Sequence, residues 1–149
     1  MKVCVIEDNQ QKAEKIISFL SSKFKNEDIY CLGSYQSGLK FIKKESPDLI
    51  ILDMTLPTFD RIAGKREGRM RPFGGVDIMR KMQLKEINSK VIVVTQFSVF
   101  DDGEERVDFK TLFSRCKNDF SDIFIGSVKY SHSSESWLDE LGLFLKKAL

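Results

Sequence analysis

Leu49-Ile50-Ile51-Leu52-Asp53-Met54-Thr55-Leu56-Pro57 is the stretch that gives the strongest indication of the fold. Its four consecutive aliphatic residues predict a strand that is buried on both faces, as in a parallel sheet. The strand ends at Asp53, and a turn that contains a proline follows. Because open α/β sheets bind their ligands at the carboxyl ends of the strands, Asp53 is a candidate site residue. The alternative is an aspartate that only ends a strand.

The composition is typical of a soluble globular domain. The chain has 149 residues, of which 42% are hydrophobic and 31% are charged, and this length suffices for one domain with a buried core. The net charge of +2 gives no general attraction to nucleic acid or to a membrane, so neither is an expected partner. No apolar run approaches the ~20 residues of a membrane span. Glu7 follows the first apolar run too soon for a signal peptide.

The cysteine and histidine content narrows the chemistry further. Cys4, Cys31 and Cys116 form no Cys-x-x-Cys pair. We therefore expect free, buried thiols, which are typical of a protein in the reducing cytoplasm. His132 is the one histidine of the chain, so we expect neither a histidine-rich metal site nor a histidine-based triad.

Five apolar runs alternate with five amphipathic segments along the chain. The runs predict strands at about 2–6, 29–32, 49–52, 91–94 and 123–128. The first helix is expected to run to about Phe24, the second to end at Lys44, and the fourth to cover about 107–117. The third and fifth helices are expected to bury Val76, Met79, Met82, Trp137, Leu138, Leu141, Phe144 and Leu145. Strands that alternate with helices predict an α/β fold, in which helices cover both faces of a parallel sheet.

Charged and hydroxyl residues stand at the carboxyl ends of four predicted strands. These residues are Glu7, Asp8, Asp53, Thr95 and Lys129. The carboxyl ends of parallel strands lie at one edge of a sheet, so the five side chains are expected to converge. Crowded carboxylates repel one another, and Mg²⁺, which prefers oxygen ligands, would offset that repulsion. A hydroxyl donor and an ammonium beside a carboxylate nucleophile suit the transfer of a phosphoryl group to Asp53.

The same residues, in this order and with these flanks, resemble the receiver domain of two-component response regulators. The matching segments are 5–9, 46–57, 91–95 and Lys129. The resemblance implies a flavodoxin-like, doubly wound sheet of five parallel strands in the order 2-1-3-4-5, with five helices. It also implies a stand-alone phosphoacceptor switch that acts through contacts with other proteins. Such a switch catalyses only its own phosphorylation and dephosphorylation.

The resemblance also implies a role for each site residue. Asp53 would be phosphorylated by a histidine kinase or a phosphotransfer protein, and a downstream protein target would bind the phosphorylated state. Thr95 and Lys129 would contact the phosphoryl group. The ligands of Mg²⁺ would be Glu7, Asp8, Asp53 and the backbone carbonyl of Thr55.

Two residues near Lys129 depart from the pattern of the receiver family. Gly126 occupies the position, three residues before the lysine, where the family usually has an aromatic switch residue. Phe124 and Tyr130 are candidate replacements, and period-two alternation would place Phe124 on the same strand face as Gly126. Tyr130 stands where the family usually has a proline, and the Lys-Pro bond of the family is commonly cis. The Lys129–Tyr130 bond is therefore either trans, with a different approach of the lysine, or strained.

The segment 58–75 is longer than the usual turn of the family, so we expect a loop insertion within a single domain that spans 1–149. Its composition is rich in glycine and in basic residues, namely Arg61, Lys65, Arg66, Arg69 and Arg71. One interpretation is a basic flap that attracts an acidic partner or a phosphorylated donor. The other is a solvated loop without a specific role.

Three functional hypotheses follow from the sequence. The first is the phosphoacceptor switch described above. The second is a pseudo-receiver, which keeps the fold as a phosphorylation-independent interaction module, and the changes at Gly126 and Tyr130 favour it. The third is a nucleotide- or flavin-binding enzyme on the same fold. The third hypothesis is weak because the chain has neither a G-x-x-x-x-G-K-[ST] nor a G-x-G-x-x-G phosphate loop.

Overall fold

A five-stranded parallel sheet forms the centre of the molecule, in a computed structural model that describes residues 1–61 and 68–149. Its strands are β1 (Val3–Ile6), β2 (Ile29–Leu32), β3 (Leu49–Leu52), β4 (Lys90–Thr95) and β5 (Phe124–Lys129). They are hydrogen-bonded in the order β2-β1-β3-β4-β5, and every neighbouring pair is parallel. The predicted strand order and the flavodoxin-like fold are therefore confirmed. β3 is buried along its whole length, as its aliphatic sequence predicts.

Five α-helices cover the two faces of this sheet. They are α1 (Gln10–Ser21), α2 (Tyr35–Glu45), α3 (Gly74–Leu84), α4 (Phe109–Asp119) and α5 (Ser136–Ala148). One apolar cluster lies between the sheet and α2, α3 and α4, and a second lies between the sheet and α1 and α5. The N-terminus of α1 is capped by the Asn9 side chain, which accepts from the Lys12 N–H. α1 ends at Ser21, before the predicted end at about Phe24, because the N–H groups of Ser22 and Lys23 bond to carbonyls three residues back and tighten the last turn.

Two short antiparallel pairs correct the predicted boundaries. Val99–Asp101 pairs with Arg106–Asp108, so the prediction of a helix from 107 was wrong and α4 begins at Phe109. A turn overrides the helical pattern here. Gly103 adopts a φ of +92°, and the Asp102 carboxylate accepts from the N–H groups of residues 104 and 105.

The segment 58–75 is not a loop throughout. Leu56–Pro57 pairs with Met70–Arg71, and the last two residues of the segment already belong to α3. The predicted basic residues Lys65 and Arg66 lie outside the described residues. The chain thus forms one strand of a small antiparallel pair just before this segment and the other strand within it, ahead of α3.

The three cysteines are free, but one of them is exposed. Cys4 and Cys116 are buried, as predicted, whereas the prediction that Cys31 is buried was wrong. Cys31 belongs to β2, which lies at the edge of the sheet and has a pairing partner on one side only. An edge strand is less covered than the apolar character of its sequence suggests.

Candidate functional site

Three carboxylates meet at the carboxyl edge of the sheet, and we call Glu7, Asp8 and Asp53 the acid cluster. Ligand oxygens of the three lie within 4.8 Å of one another. The sheet hydrogen bonding continues one residue past β1 and β3 and fixes this arrangement: the Asp53 N–H donates to the Ile6 carbonyl at 3.0 Å, and the Glu7 N–H donates to the Leu32 carbonyl at 3.0 Å. Glu7 and Asp53 are buried, with 4% and 6% of their surface exposed.

A lysine that the sequence analysis did not select lies against the acid cluster. The Lys12 ammonium is 2.5 Å from Glu7 Oε1 and 3.3 Å from Asp53 Oδ2, and it donates to the Val94 carbonyl at 2.7 Å. The contact with Glu7 Oε1 is an ion pair without the direction of a hydrogen bond. Only 1% of the Lys12 surface is exposed. The ammonium therefore compensates the charge of the two buried carboxylates from the side of α1.

The second oxygen of each buried carboxylate accepts from a backbone N–H group. Asp53 Oδ1 accepts from the Met54 N–H at 2.8 Å, and Glu7 Oε2 accepts from the Asn9 N–H at 3.0 Å. Burial raises the pKa of Glu7 to about 7, and the Asp53 carboxylate raises it too, whereas the Lys12 ammonium lowers it. Burial also raises the pKa of Asp53, against the opposing effect of the Lys12 ammonium.

The third acid, Asp8, faces a cleft that opens above the acid cluster. The cleft has a volume of about 410 Å³, and its lining includes Asp8, Asp53, Thr55 and Gln96. Arg61 also lines it, and its Nη2 atom lies 3.1 Å from Asp8 Oδ2. The carboxylate oxygens and the residue whose carbonyl was predicted as a ligand thus lie on the same side of the site. The donor set consists of oxygen atoms, which is the type of ligand that Mg²⁺ prefers.

The start of α3 lies close to the turn that follows Asp53. The Gly75 N–H donates to the Met54 carbonyl at 2.8 Å. A Cβ atom at Gly75 would lie 3.0 Å from the Asp53 carbonyl oxygen and 3.1 Å from the Met54 Cα. The absence of a side chain at Gly75 therefore permits this approach, which holds the backbone beside the acid cluster. The Thr55 hydroxyl donates to the Pro72 carbonyl at 3.1 Å and ties the same turn to the segment before α3.

The other two predicted site residues, Thr95 and Lys129, lie opposite each other on β4 and β5. The Thr95 side chain is fully buried, and its Oγ1 accepts from the Phe97 N–H at 3.4 Å. The Lys129 ammonium hydrogen-bonds the Ser98 hydroxyl and lies 5.7 Å from the centre of the Phe109 ring. Among the described residues, Lys129 forms no ion pair. The structure thus brings the acids together, whereas the ammonium at Asp53 belongs to Lys12.

The two candidate switch residues pack on opposite faces of the sheet. Tyr130 follows a trans peptide bond and is buried against α5, with its ring 4.9 Å from the Trp137 ring. Its hydroxyl hydrogen-bonds His132 Nδ1 at 3.0 Å. Phe124 lies on the other face, where its ring stacks on Phe113 at 6.2 Å.

The prediction that Phe124 shares a strand face with Gly126 was wrong. The pairing of β4 with β5 shifts in register between Val91 and Ile92, so that these two residues lie opposite Phe124 and Gly126, respectively. One residue of β5 is thereby left without a partner and reverses the alternation of its side chains. Gly126 faces α5, where the Phe144 ring occupies the space that a side chain would need.

Replacing Gly126 with alanine is therefore expected to lower the free energy of unfolding by about 1–3 kcal/mol through overpacking. A Cβ atom at this position would lie 2.3 Å from Phe144 Cε1. Urea unfolding followed by circular dichroism measures the change. Gly142→Ala in α5 is the matched control, because its Cβ would lie 3.5 Å from the nearest atom, Phe19 Cζ. The free energy of unfolding of this control should rise by up to about 1 kcal/mol, because alanine has a higher helix propensity than glycine. Equal stabilities of the two variants would contradict this packing.

Comparison with known proteins identifies the family. The chain is 30% identical over 139 residues to the uncharacterized protein y4jR of Sinorhizobium fredii, covering 92% of this chain and 91% of that protein. It is 29% identical over 143 residues to the Detocs response regulatory protein DtcB of Enterobacter cloacae, covering 95% of both. A response regulator receiver domain protein from Clostridium thermocellum superposes with a TM-score of 0.65 at 17% identity, covering 99% of this chain and 92% of that chain. The chain belongs to the response regulator receiver family. No family model matches it.

This receiver has two cations at its acid cluster that sequence reasoning missed, Lys12 and Arg61. A signal for Lys12 was present in the sequence. Lys12 precedes the buried residues Ile16 and Leu20 at intervals of four, so it continues the apolar stripe of α1 into the site. Arg61 was assigned only to a basic loop, because its ion pair with Asp8 joins residues that are distant in sequence. No helix in the described parts of this receiver has the length and apolar character needed to cross a bilayer.

Proposed function

We propose that Asp53 of this receiver accepts a phosphoryl group in a Mg²⁺-dependent reaction, and that a histidine kinase or phosphotransfer protein is the donor. The observation that carries the proposal is the acid cluster, in which three carboxylates from two strand ends lie within 4.8 Å of one another at one cleft. Receiver domains generally bind Mg²⁺ at an acidic pocket and interact with such donors. The name of the similar DtcB protein, a response regulatory protein, agrees with this role.

In the proposed reaction, an oxygen of the Asp53 carboxylate forms a bond to the phosphorus of the donor. The bond between phosphorus and the donor atom breaks, and its electron pair stays with the donor. A bound Mg²⁺ would be held by Glu7, Asp8, Asp53 and the Thr55 carbonyl, and it would neutralise charge on the phosphoryl oxygens. Asp53 is buried, so water solvates its carboxylate poorly. The electrostatic interactions of the carboxylate with the Met54 N–H and the Lys12 ammonium are therefore stronger than they would be in water.

Thr95 and Lys129 are proposed to contact the phosphoryl group after transfer. The buried Thr95 hydroxyl is at the end of β4, one residue before Gln96, which lines the cleft. Lys129 lies next to it across the β4–β5 pair, but its ammonium must leave Ser98 and swing toward Asp53. The phosphorylated state would thereby move groups near Ser98 and Phe109, and a downstream protein target could bind that altered surface. We propose that this occurs in the cytoplasm.

A pseudo-receiver function is the second candidate, and one observation favours it. The Lys12 ammonium already compensates Glu7 and Asp53, so the acid cluster has a cation partner within the chain itself. Lys129, the cation that the family pattern assigns to the phosphoryl group, contacts Ser98 instead. In this case the protein would bind its partner without phosphorylation, and divalent ions would not be needed.

Incubation with acetyl phosphate and Mg²⁺ separates the two candidates. The phosphoacceptor function predicts one added phosphoryl group by intact-mass spectrometry, and its loss in Asp53→Asn or after chelation with EDTA. Asp122→Asn is the matched control, because Asp122 is exposed and precedes β5 at the opposite edge of the sheet. It should be modified like the unaltered protein. Modification that persists in Asp53→Asn would overturn the assignment of the acceptor.

A second arm uses beryllofluoride, which imitates the phosphoryl group without a covalent transfer step. Binding that requires Mg²⁺ and is abolished by Asp53→Asn would support the phosphoacceptor function even if acetyl phosphate reacts slowly. Absence of both modification and beryllofluoride binding in the unaltered protein would favour the pseudo-receiver.

A further inference from the structure

We infer that Lys12 is a resident cation of the phosphoacceptor site, a positioning residue that holds Asp53 and weakens the binding of Mg²⁺ to the acid cluster. The inference rests on the proposed function and specifies how this chain adjusts it. It is carried by the contacts of one ammonium with Glu7, Asp53 and the Val94 carbonyl.

The position of Lys12 is costly for a positive charge. Its side chain is 1% exposed, so the ammonium has lost nearly all of its hydration. It also belongs to the first turn of α1, where the helix dipole disfavours a cation. An apolar side chain would continue the stripe formed by Ile16 and Leu20 without either cost. The charge is therefore held in place by its acceptors, and the two buried acids are its main partners.

Lys12 contacts the acids without lining the cleft that opens above them. It extends from α1, and its hydrogen bond to the Val94 carbonyl anchors the ammonium to β4. The cleft itself is lined by Asp8, Thr55 and Arg61, among others. A metal ion that enters through the cleft would therefore share the charge of Asp53 with Lys12 rather than replace it. The ammonium and a divalent cation repel each other, so the affinity for Mg²⁺ should be lower than the three carboxylates alone would give.

Lys12 also differs from Lys129 in the type of contact it makes. Lys12 touches Asp53 in the structure, whereas Lys129 touches Ser98. Before any phosphoryl group arrives, the lysine that orients the acceptor carboxylate is thus the one on α1. Together with the Met54 N–H on the other oxygen, it fixes the carboxylate in one orientation.

Isothermal titration calorimetry with Mg²⁺ tests this inference on the full chain. Lys12→Met should bind Mg²⁺ about ten- to a hundredfold more tightly, because it removes a neighbouring positive charge. Lys12→Gln keeps a hydrogen-bond donor and should show the same direction if the methionine variant folds poorly. Lys15→Met is the matched control, because Lys15 is exposed on the same helix and its substitution removes the same charge. Its affinity should stay within about twofold, because exposed charges are screened.

The rise in unfolding temperature on addition of Mg²⁺ provides a second measurement, and it should be larger in Lys12→Met and Lys12→Gln than in the unaltered protein. If the unaltered protein binds Mg²⁺ through Asp53 but both Lys12 variants bind it equally well, the inference is overturned and the proposed function stands. If only the variants bind Mg²⁺, the inference is supported and the Mg²⁺-dependent function of the unaltered protein is overturned. If none of them binds Mg²⁺, both are overturned.

Discussion

Lys12→Met is expected to lower the free energy of unfolding by about 3–5 kcal/mol in buffer without Mg²⁺, which is the cost of leaving buried charge uncompensated. The substitution keeps the length of the side chain and removes the ammonium from Glu7 and Asp53. Those two carboxylates are buried and adjacent, so they would repel each other without a cation between them. Urea unfolding followed by circular dichroism measures the loss.

The loss of stability in Lys12→Met should depend on pH, and the direction of this dependence follows from the pKa of Glu7. In the unaltered protein this pKa is raised to about 7, chiefly by burial, and removing Lys12 raises it further. A carboxyl group whose pKa is raised on folding destabilises the folded state once it ionises, so the penalty is present at neutral and higher pH. The destabilisation of Lys12→Met should therefore shrink as the pH falls toward about 5, where the acids take up protons. A loss that is independent of pH would indicate a packing defect instead.

The double variant Glu7→Gln with Lys12→Met provides the control for charge. It removes one carboxylate together with the ammonium and leaves Asp53 as the remaining buried charge of the three. We expect it to be more stable than Lys12→Met alone, with a coupling energy of at least about 1 kcal/mol in a double-mutant cycle. Additive effects of the two substitutions would contradict an energetic link between Lys12 and Glu7.

Trp137→Ala is expected to lower the free energy of unfolding by about 3–5 kcal/mol, the usual cost of deleting a large buried aromatic side chain. Trp137 is 2% exposed and packs edge-on against Tyr130 in the cluster beneath α1 and α5. Its loss would leave a cavity between α5 and the sheet. Differential scanning calorimetry, together with urea unfolding, measures the change.

Trp137→Phe distinguishes packing from hydrogen bonding. Within residues 1–61 and 68–149, the indole Nε1 of Trp137 has no hydrogen-bond partner, so phenylalanine forfeits no such bond. Trp137→Phe should lower the free energy of unfolding by about half as much as Trp137→Ala or less, because most of the apolar contact is kept. If phenylalanine were as destabilising as alanine, the indole N–H would be contributing through a contact that this packing does not include.

The sequence was sufficient to predict those features that depend on local pattern. The aliphatic run of β3 fixed the parallel sheet, and the acids that follow β1 and β3 had to meet because parallel strands end at one edge. These features depend on interactions between residues close in sequence, or on the rule that all strands of a parallel sheet end at the same edge.

The features that the sequence did not predict depend on contacts between distant residues. The direction of the Lys129 side chain depends on Ser98, which lies 31 residues earlier in the chain. The face occupied by Phe124 depends on a register shift between β4 and β5, which period-two alternation cannot reveal. Lys12 was not selected from the sequence because lysine is rarely buried without a partner, and its partners become visible only in three dimensions.

The packing of Trp137 gives the protein a built-in optical probe. It is the one tryptophan of the chain, its ring contacts Tyr130, and the Lys12 ammonium lies 5.7 Å from the centre of the Tyr130 ring. Indole emission responds to nearby charge and to the polarity of its surroundings. We therefore expect intrinsic fluorescence to follow events at Asp53 without a dye or a label, because Tyr130 and Lys12 connect the emitting ring to the carboxylate.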